Sequence, residues 1–249
     1  MNPEPPKSQP PTPDPITPPA KRRNFSRLLS GCLLTFILLA LASVCLPVFN
    51  SVNVKGQATK SLAQAKQIGL ALRIFADDHN GKYPGQWVPA EMTTAPTTSN
   101  AAFAPLFPTY TTSERLFGNK LSAYQTRQPD DVIDPTYTGK PVKTLEPGEN
   151  VYAYVTGLTD KSDPDAPLVL DGTDGSLLYY SSDKAKRGGV WGGTKAVVIH
   201  LDNHGSVETL AGREDTRYIP GHVPGHPTNA LDLSWLGPDA HLLNPAVAP

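Results

Sequence analysis

The feature that most constrains this chain is an apolar run without a single charge. Residues 28–49 read LLSGCLLTFILLALASVCLPVF, which is 22 uncharged residues. As a helix they would extend roughly 33 Å, about the thickness of the hydrocarbon core of a bilayer. The run therefore predicts one transmembrane helix, with the lipid bilayer as a partner.

A signal peptide and a lipoprotein site are the alternatives to a membrane helix. The basic residues Lys21, Arg22, Arg23 and Arg27 suit a secretory signal peptide, but the apolar run exceeds a signal's usual 7–15 residues and no clean A-x-A site follows. Residues 29–32, Leu-Ser-Gly-Cys, have the letters of a lipoprotein site, but they begin the apolar run rather than end it. The basic cluster before the run predicts a cytoplasmic N-terminus and a C-terminal domain on the far side of the membrane.

Composition limits the remaining function classes. The chain has 22 basic and 23 acidic residues, so it offers no field of one sign to hold nucleic acid. Both cysteines, Cys32 and Cys45, lie inside the apolar run, which leaves the rest of the chain without a disulfide framework. Residues 1–27 are rich in proline and predict a disordered, partly polyproline II tail, or a ligand for a proline-recognising domain.

A second helix signal follows the apolar run, over residues 50–80. Apolar residues recur there at spacings of three and four, which predicts an amphipathic helix that continues the membrane helix. They are Leu62, Ala65, Ile68, Leu72, Phe75 and Ala76. Asn80-Gly81 predicts the helix end, because both residues tolerate the left-handed conformation of a C-cap.

Residues 81–212 have the composition of a small antiparallel sheet with short helices. The predicted strands are 151–158, 168–171, 177–180, 196–201 and 207–210, and residues 202–205 predict the hairpin between the last two. Residues 213–249 have no periodicity and predict an irregular tail. The predicted fold class is α+β: a long N-terminal helix, half transmembrane and half amphipathic, packed on a small antiparallel sheet.

Several segments together resemble the pilin and type II secretion pseudopilin group of bacterial proteins. The most specific is AKQIGLALRIFADDHNGKYP, residues 65–84, which is similar to the turn that ends their N-terminal helix. EPGENVYAYVTGL at 146–158 and GGVWGGTKAVVIHLD at 188–202 are similar to their strands. The resemblance implies a pilin-like fold, a single-pass inner-membrane location and a periplasmic domain. It also implies, as partners, other pilin-type subunits or secretion-assembly proteins.

The start of the apolar run departs from that family's pattern. Members carry a Gly at a peptidase cut site followed by Phe-Thr-Leu-Ile-Glu. Aligning Pro47 with the usual helix proline puts Ser30 at the Glu position, and cutting after Gly31 puts Phe36 there. Neither register supplies the carboxylate that pilin assembly uses.

Two groups of side chains are candidate metal sites. Five carboxylates within fifteen residues could bind calcium, as the resemblance also implies for this part of the domain, although Asp beside Pro and Gly is ordinary turn chemistry. They are Asp160, Asp163, Asp165, Asp171 and Asp174. The second group has the residue types of a zinc site: the alternating His200, Asp202 and His204, together with His222 and His226. The same residues are also typical of turn and tail side chains that face solvent.

No sequence motif of an enzyme is present. The chain lacks G-x-S-x-G, H-E-x-x-H and a phosphate-binding glycine loop, and no small-molecule substrate or further cofactor is indicated. The leading hypothesis is a non-enzymatic pseudopilin-like protein of a secretion or pilus-like assembly. The alternatives are a stand-alone binding or sensing module and an extracytoplasmic hydrolase.

Overall fold

The first regular element of the protein is the helix α1, Arg23–Asp78. The computed structural model describes residues 23–88, 94–134, 143–221 and 225–248; for helix residues 23–29, 32, 41–42 and 44–52 it describes the backbone alone. The chain divides into two compact units, Met1–Ser51 and Val52–Pro249. The predicted disordered tail at 1–27 lies almost entirely outside the described residues.

The part of α1 in the second unit buries the predicted apolar stripe except for Leu62, which is only partly buried. Ala65, Ile68, Leu72, Phe75 and Ala76 are each at most 1% exposed. Residues three and four apart share one helix face, so this stripe forms one wall of the core.

Gly69 explains how closely α1 approaches the sheet. A Cβ atom at this position would lie 2.7 Å from Asn203 Oδ1 and 3.0 Å from Ile199 Cγ2. A larger residue would push the helix away from the sheet, so the lower helix propensity of glycine is offset by tighter packing.

The helix ends where the sequence predicts. The amide N–H of Gly81 donates to the carbonyl oxygen of Ala76 at 2.8 Å, and Asn80 and Gly81 adopt φ values of 56° and 77°. These left-handed residues close the helix by satisfying a carbonyl that would otherwise lack a donor. The prediction from Asn80-Gly81 is confirmed.

Five antiparallel strands form one sheet in the order β4-β3-β2-β1-β5. They are β1 (Tyr152–Thr156), β2 (Pro167–Asp171), β3 (Lys195–His200), β4 (Gly205–Thr209) and β5 (His241–Leu243). The strands β1 and β2 are buried along their whole length, whereas the edge strand β4 is half-exposed. The central strands are therefore covered on both faces, which explains their continuous apolar sequence.

The strands differ from the prediction in two places. Residues 177–180 form no strand; Tyr180 alone makes an isolated bridge with Arg217. The region predicted as an irregular tail instead supplies β5, which pairs with β1 in the register Val155 to Leu242. The hairpin between β3 and β4 is confirmed, with Val197 opposite Val207.

Short helices complete the second unit. The helix α2, Ser99–Phe103, is capped by Thr98, whose hydroxyl accepts a hydrogen bond from the Ala101 amide at 3.3 Å. Three 3-10 helices occupy Ala104–Leu106, Glu114–Phe117 and Leu233–Leu236.

The predicted fold class, with its half-transmembrane N-terminal helix, and the predicted location are wrong. A helix that crosses a bilayer needs about 20 consecutive, mostly apolar residues. Within the described ranges no helix is both long enough and apolar enough to cross.

This finding overturns the predictions that depended on a membrane helix. The first is the pilin-like α+β fold with a transmembrane half. The second is the single-pass location in the inner membrane, with a cytoplasmic N-terminus and a periplasmic domain. The third is the description as a membrane pseudopilin of type II protein secretion. The physical reason is the same for all of them: each requires a helix that spans the hydrocarbon core.

Candidate functional site

A cavity of about 230 Å³ lies beside β3, next to the hairpin that joins β3 to β4. Residues after the last predicted strand form its opposite wall. The lining combines histidines and carboxylates with apolar side chains: Asp165, His200, His204, Glu208, Ile219, Pro220, His226, Ala230 and Trp235. A concave site with an apolar wall and a few polar groups is the usual form of a small-ligand site.

Ring stacking and one hydrogen bond hold the side chains that line this cavity in place. The rings of His226 and Trp235 stack with their centroids 4.0 Å apart. On the other side, His200 Nδ1 lies 2.7 Å from the carbonyl oxygen of Asp165, so this nitrogen carries the proton and donates. The other ring nitrogen of neutral His200 is then a hydrogen-bond acceptor.

The structure brings together three of the predicted zinc residues but does not make them a metal site. His200, His204 and His226 line one cavity, yet the group in the described part of the chain that could hold a metal contains no histidine. Asp202 instead holds the hairpin turn by accepting from the His204 amide at 2.6 Å. His222 lies outside the described residues.

The five predicted calcium ligands have separate structural roles. Asp163 accepts from the Asp165 amide at 2.9 Å, and Asp174 accepts from the Ser176 amide at 2.9 Å, which are ordinary turn contacts. The Asp160 side chain lies against Gly81, where it leaves no room for a Cβ atom. Among described residues, none of these five carboxylates belongs to the group that could hold a metal.

Asp171, the fourth of these residues, is part of the core. Its side chain is 1% exposed, and Oδ2 accepts from Trp191 Nε1 at 2.6 Å and from the Val197 amide at 2.7 Å. Burial raises the pKa of Asp171 to about 6, although the two hydrogen bonds favour the charged form. This carboxylate joins β2 to β3 and to the Trp191 ring.

The described helix surface of the first unit is apolar and exposed. The described large apolar side chains of α1 in Met1–Ser51 are strongly exposed, from 46% at Ile37 to 71% at Phe36. They are Leu33, Leu34, Phe36, Ile37, Leu38 and Leu39. Because successive helix residues are rotated by about 100°, these six surround the helix rather than forming one stripe.

The sequence indicates the three histidines of this cavity but not its aromatic wall, because the walls come from distant parts of the chain. From the sequence alone, Trp235 has the character of a packing residue in an irregular segment. The pairing of His226 with Trp235 has no signal in the sequence, since both lie in a segment without periodicity.

Comparison with known proteins does not place this chain in a family. It matches no protein-family model, no curated protein and no solved structure. The resemblance of residues 65–84 to pilin-type proteins therefore stays a prediction.

Proposed function

We propose that this protein is a non-enzymatic subunit of a homo-oligomeric assembly held together by its N-terminal helices. The observation that carries the proposal is the set of six large apolar side chains, between Leu33 and Leu39, that surround the described part of α1 in the first unit. A helix that is apolar all round is stable only when other groups cover it. A second copy of the same helix offers a matching apolar surface.

The gain from such association is large. Covering one large apolar side chain contributes about 1.5–3 kcal/mol, so six of them contribute about 9–18 kcal/mol, against a cost of about 4–15 kcal/mol for bringing chains together. The resemblance to pilin-type proteins implies the same kind of contact, between N-terminal helices. In this proposal the second unit, Val52–Pro249, is the domain that the assembly displays.

Two further exposed apolar side chains, in the second unit, support contacts between the displayed domains of neighbouring copies. Leu70 and Ile74 are 51% and 45% exposed and lie one turn apart on α1, away from the buried stripe. Residues four apart on a helix are neighbours, so the two side chains form one small apolar patch.

The test is the mass of the purified full chain in solution. We expect sedimentation velocity to give a defined multiple of the 26.7 kDa chain mass. Replacing Leu34, Ile37 and Leu38 together by Gln keeps helix propensity but removes three apolar side chains. At about 1.5 kcal/mol or more for each, association should weaken about a thousandfold or more.

A control variant removes three exposed apolar residues in the second unit. Leu121, Val132 and Val247 are 44%, 45% and 43% exposed, and their joint replacement by Gln should leave the mass unchanged. A monomeric wild type, or a broad distribution without a defined mass, would contradict the proposal. So would equal effects of the two triple variants.

The cavity beside β3 favours a second candidate function, a binding module for a small ring-shaped ligand. The stacked rings of His226 and Trp235 provide a flat wall, and Asp165, His200 and His204 provide polar groups around it. Saturation-transfer NMR with small aromatic and saccharide probes tests this idea, with Trp235→Ala as the variant. If no probe shows a signal that depends on Trp235, the cavity is not such a site.

A further inference from the structure

Three carboxylates from different segments meet at one point in the second unit. Glu114 begins the 3-10 helix Glu114–Phe117, Asp130 lies in the loop that follows, and Glu149 lies just before β1. One oxygen from each lies within 4.8 Å of the others. These residues are distinct from both groups of candidate metal ligands that the sequence indicates.

Glu149, a member of this group, has one buried oxygen without a hydrogen-bond partner among the described residues. Glu114 and Glu149 are both 0% exposed, and Glu149 Oε1 has no hydrogen-bond partner within the described part of the chain. Its other oxygen accepts from the Glu146 amide at 2.8 Å. A buried carboxylate oxygen without a partner is costly, so its presence indicates a group that it binds.

The nearby basic side chains are engaged elsewhere. Arg115 Nε contacts Asp131 Oδ2 at 2.8 Å, and Arg127 pairs with Glu146. The ion pairs found among described residues do not include Glu114, Asp130 or Glu149.

Backbone amides hold Glu114 in place. The Leu145 amide donates to Glu114 Oε1 at 2.6 Å, and the Asp131 amide donates to Oε2 at 2.9 Å. Each oxygen keeps a second lone pair, because a carboxylate oxygen accepts two hydrogen bonds or one bond and a metal. The carboxylate is therefore oriented before any ligand arrives, as the supporting contacts of metal ligands usually ensure.

We propose that Glu114, Asp130 and Glu149 bind a hard divalent cation, with calcium preferred. Oxygen donors select calcium and magnesium over zinc, which favours nitrogen and sulfur. Calcium suits this site better than magnesium, because carboxylates on irregular segments rarely give the regular octahedron that magnesium requires. The bound ion would tie the 114–117 helix, the loop at 130 and the segment before β1 together.

Thermal unfolding of the full chain tests the assignment. After treatment with EDTA and dialysis at about pH 7.5, calcium at about a hundred times its Kd should raise the Tm by about 5–10 °C, since a ligand of the folded state alone stabilises it. Isothermal titration calorimetry should show one calcium ion per chain and weaker magnesium binding. A Tm that calcium does not change, or a rise with zinc but not with calcium or magnesium, would overturn the proposal.

Two variants separate a metal site from a structural role. Glu149→Gln removes one ligand charge, so we expect the calcium response to disappear while the Tm without metal stays equal or rises, because repulsion with Glu114 is relieved. Asp130→Asn changes an exposed carboxylate and should weaken calcium binding at least tenfold without unfolding the domain.

The matched control is Asp163→Asn, in the loop where the sequence predicts calcium. This variant should keep the full calcium response, since Asp163 serves a turn. If Asp163→Asn abolishes the response and Glu149→Gln does not, calcium binds elsewhere and the proposal fails. None of these outcomes depends on the oligomeric state.

Discussion

Replacing Asp171 by Asn should remove a defined part of the protein's pH dependence. Asp171 is buried between β2 and β3, where one oxygen accepts from both Trp191 and Val197. Its pKa is about 6 in the folded protein, against an ordinary value of 3.8. Burial is the main cause, because it penalises the charged form.

The sign of the effect follows from linkage. The folded state holds this proton more tightly than the unfolded state, so the stabilising contribution is fully present below about pH 3.8 and is lost as the pH rises through 6. The whole pKa shift of Asp171 corresponds to about 3 kcal/mol of folding stability. About 2–2.5 kcal/mol of this stability is lost between pH 4 and pH 7. At neutral pH the wild-type protein therefore carries a buried charge that the Asp171→Asn variant lacks.

The assay is urea unfolding of wild type and Asp171→Asn at pH 4 and pH 7, followed by tryptophan fluorescence. The free energy of unfolding of the variant minus that of wild type should be about 2–2.5 kcal/mol larger at pH 7 than at pH 4, so the variant gains stability relative to wild type as the pH rises. The uncharged hydrogen bonds of the new Asn side chain contribute equally at both pH values and cancel in this comparison. Asp163→Asn, on a turn, should show no such difference.

Equal stability differences at the two pH values would refute the reasoning. Such a result would mean that the Asp171 carboxyl group is well solvated or paired with a cation in solution. A difference of the opposite sign would mean that its hydrogen bonds outweigh burial and lower its pKa.

Two further predictions test how the sheet is held. Tyr152→Phe removes the hydroxyl that lies 2.8 Å from Ser61 Oγ on α1, so we expect urea unfolding to show a loss of about 1–3 kcal/mol; a change below about 0.5 kcal/mol would contradict this. Deleting residues 240–249 removes β5 with the buried Leu242 and Leu243, which should cost about 3–6 kcal/mol and expose the edge of β1 to aggregation. An unchanged Tm by calorimetry, with no aggregation on heating, would show that β5 does not close the sheet.

Part of the fold could be predicted because its signals are local. The stripe from Ala65 to Ala76 predicts which face of the helix is buried, since a period of about 3.6 residues places these side chains together. The turn at Asn203 is equally local, because the conformation it requires depends on a few residues. Such features need no knowledge of the rest of the chain.

The strand β5 shows where local signals stop. It has three residues, too few for a period of two to be recognised, and its place in the sheet depends on the free edge of β1. In the same way, residues 177–180 have the composition of a strand but do not pair along the edge of a neighbouring strand. Pairing, rather than propensity, decides whether a short apolar segment becomes a strand.

By itself the sequence determined the buried helix face, the helix end at Asn80-Gly81 and the hairpin between β3 and β4. Only the tertiary structure decided which acids act together: the five aspartates between 160 and 174 separated into turns and core, while Glu114, Asp130 and Glu149 converged. The physical reason is distance along the chain. Side chains separated by 16 and 19 residues meet only through the packing of the segments that carry them, and no sequence period records that packing.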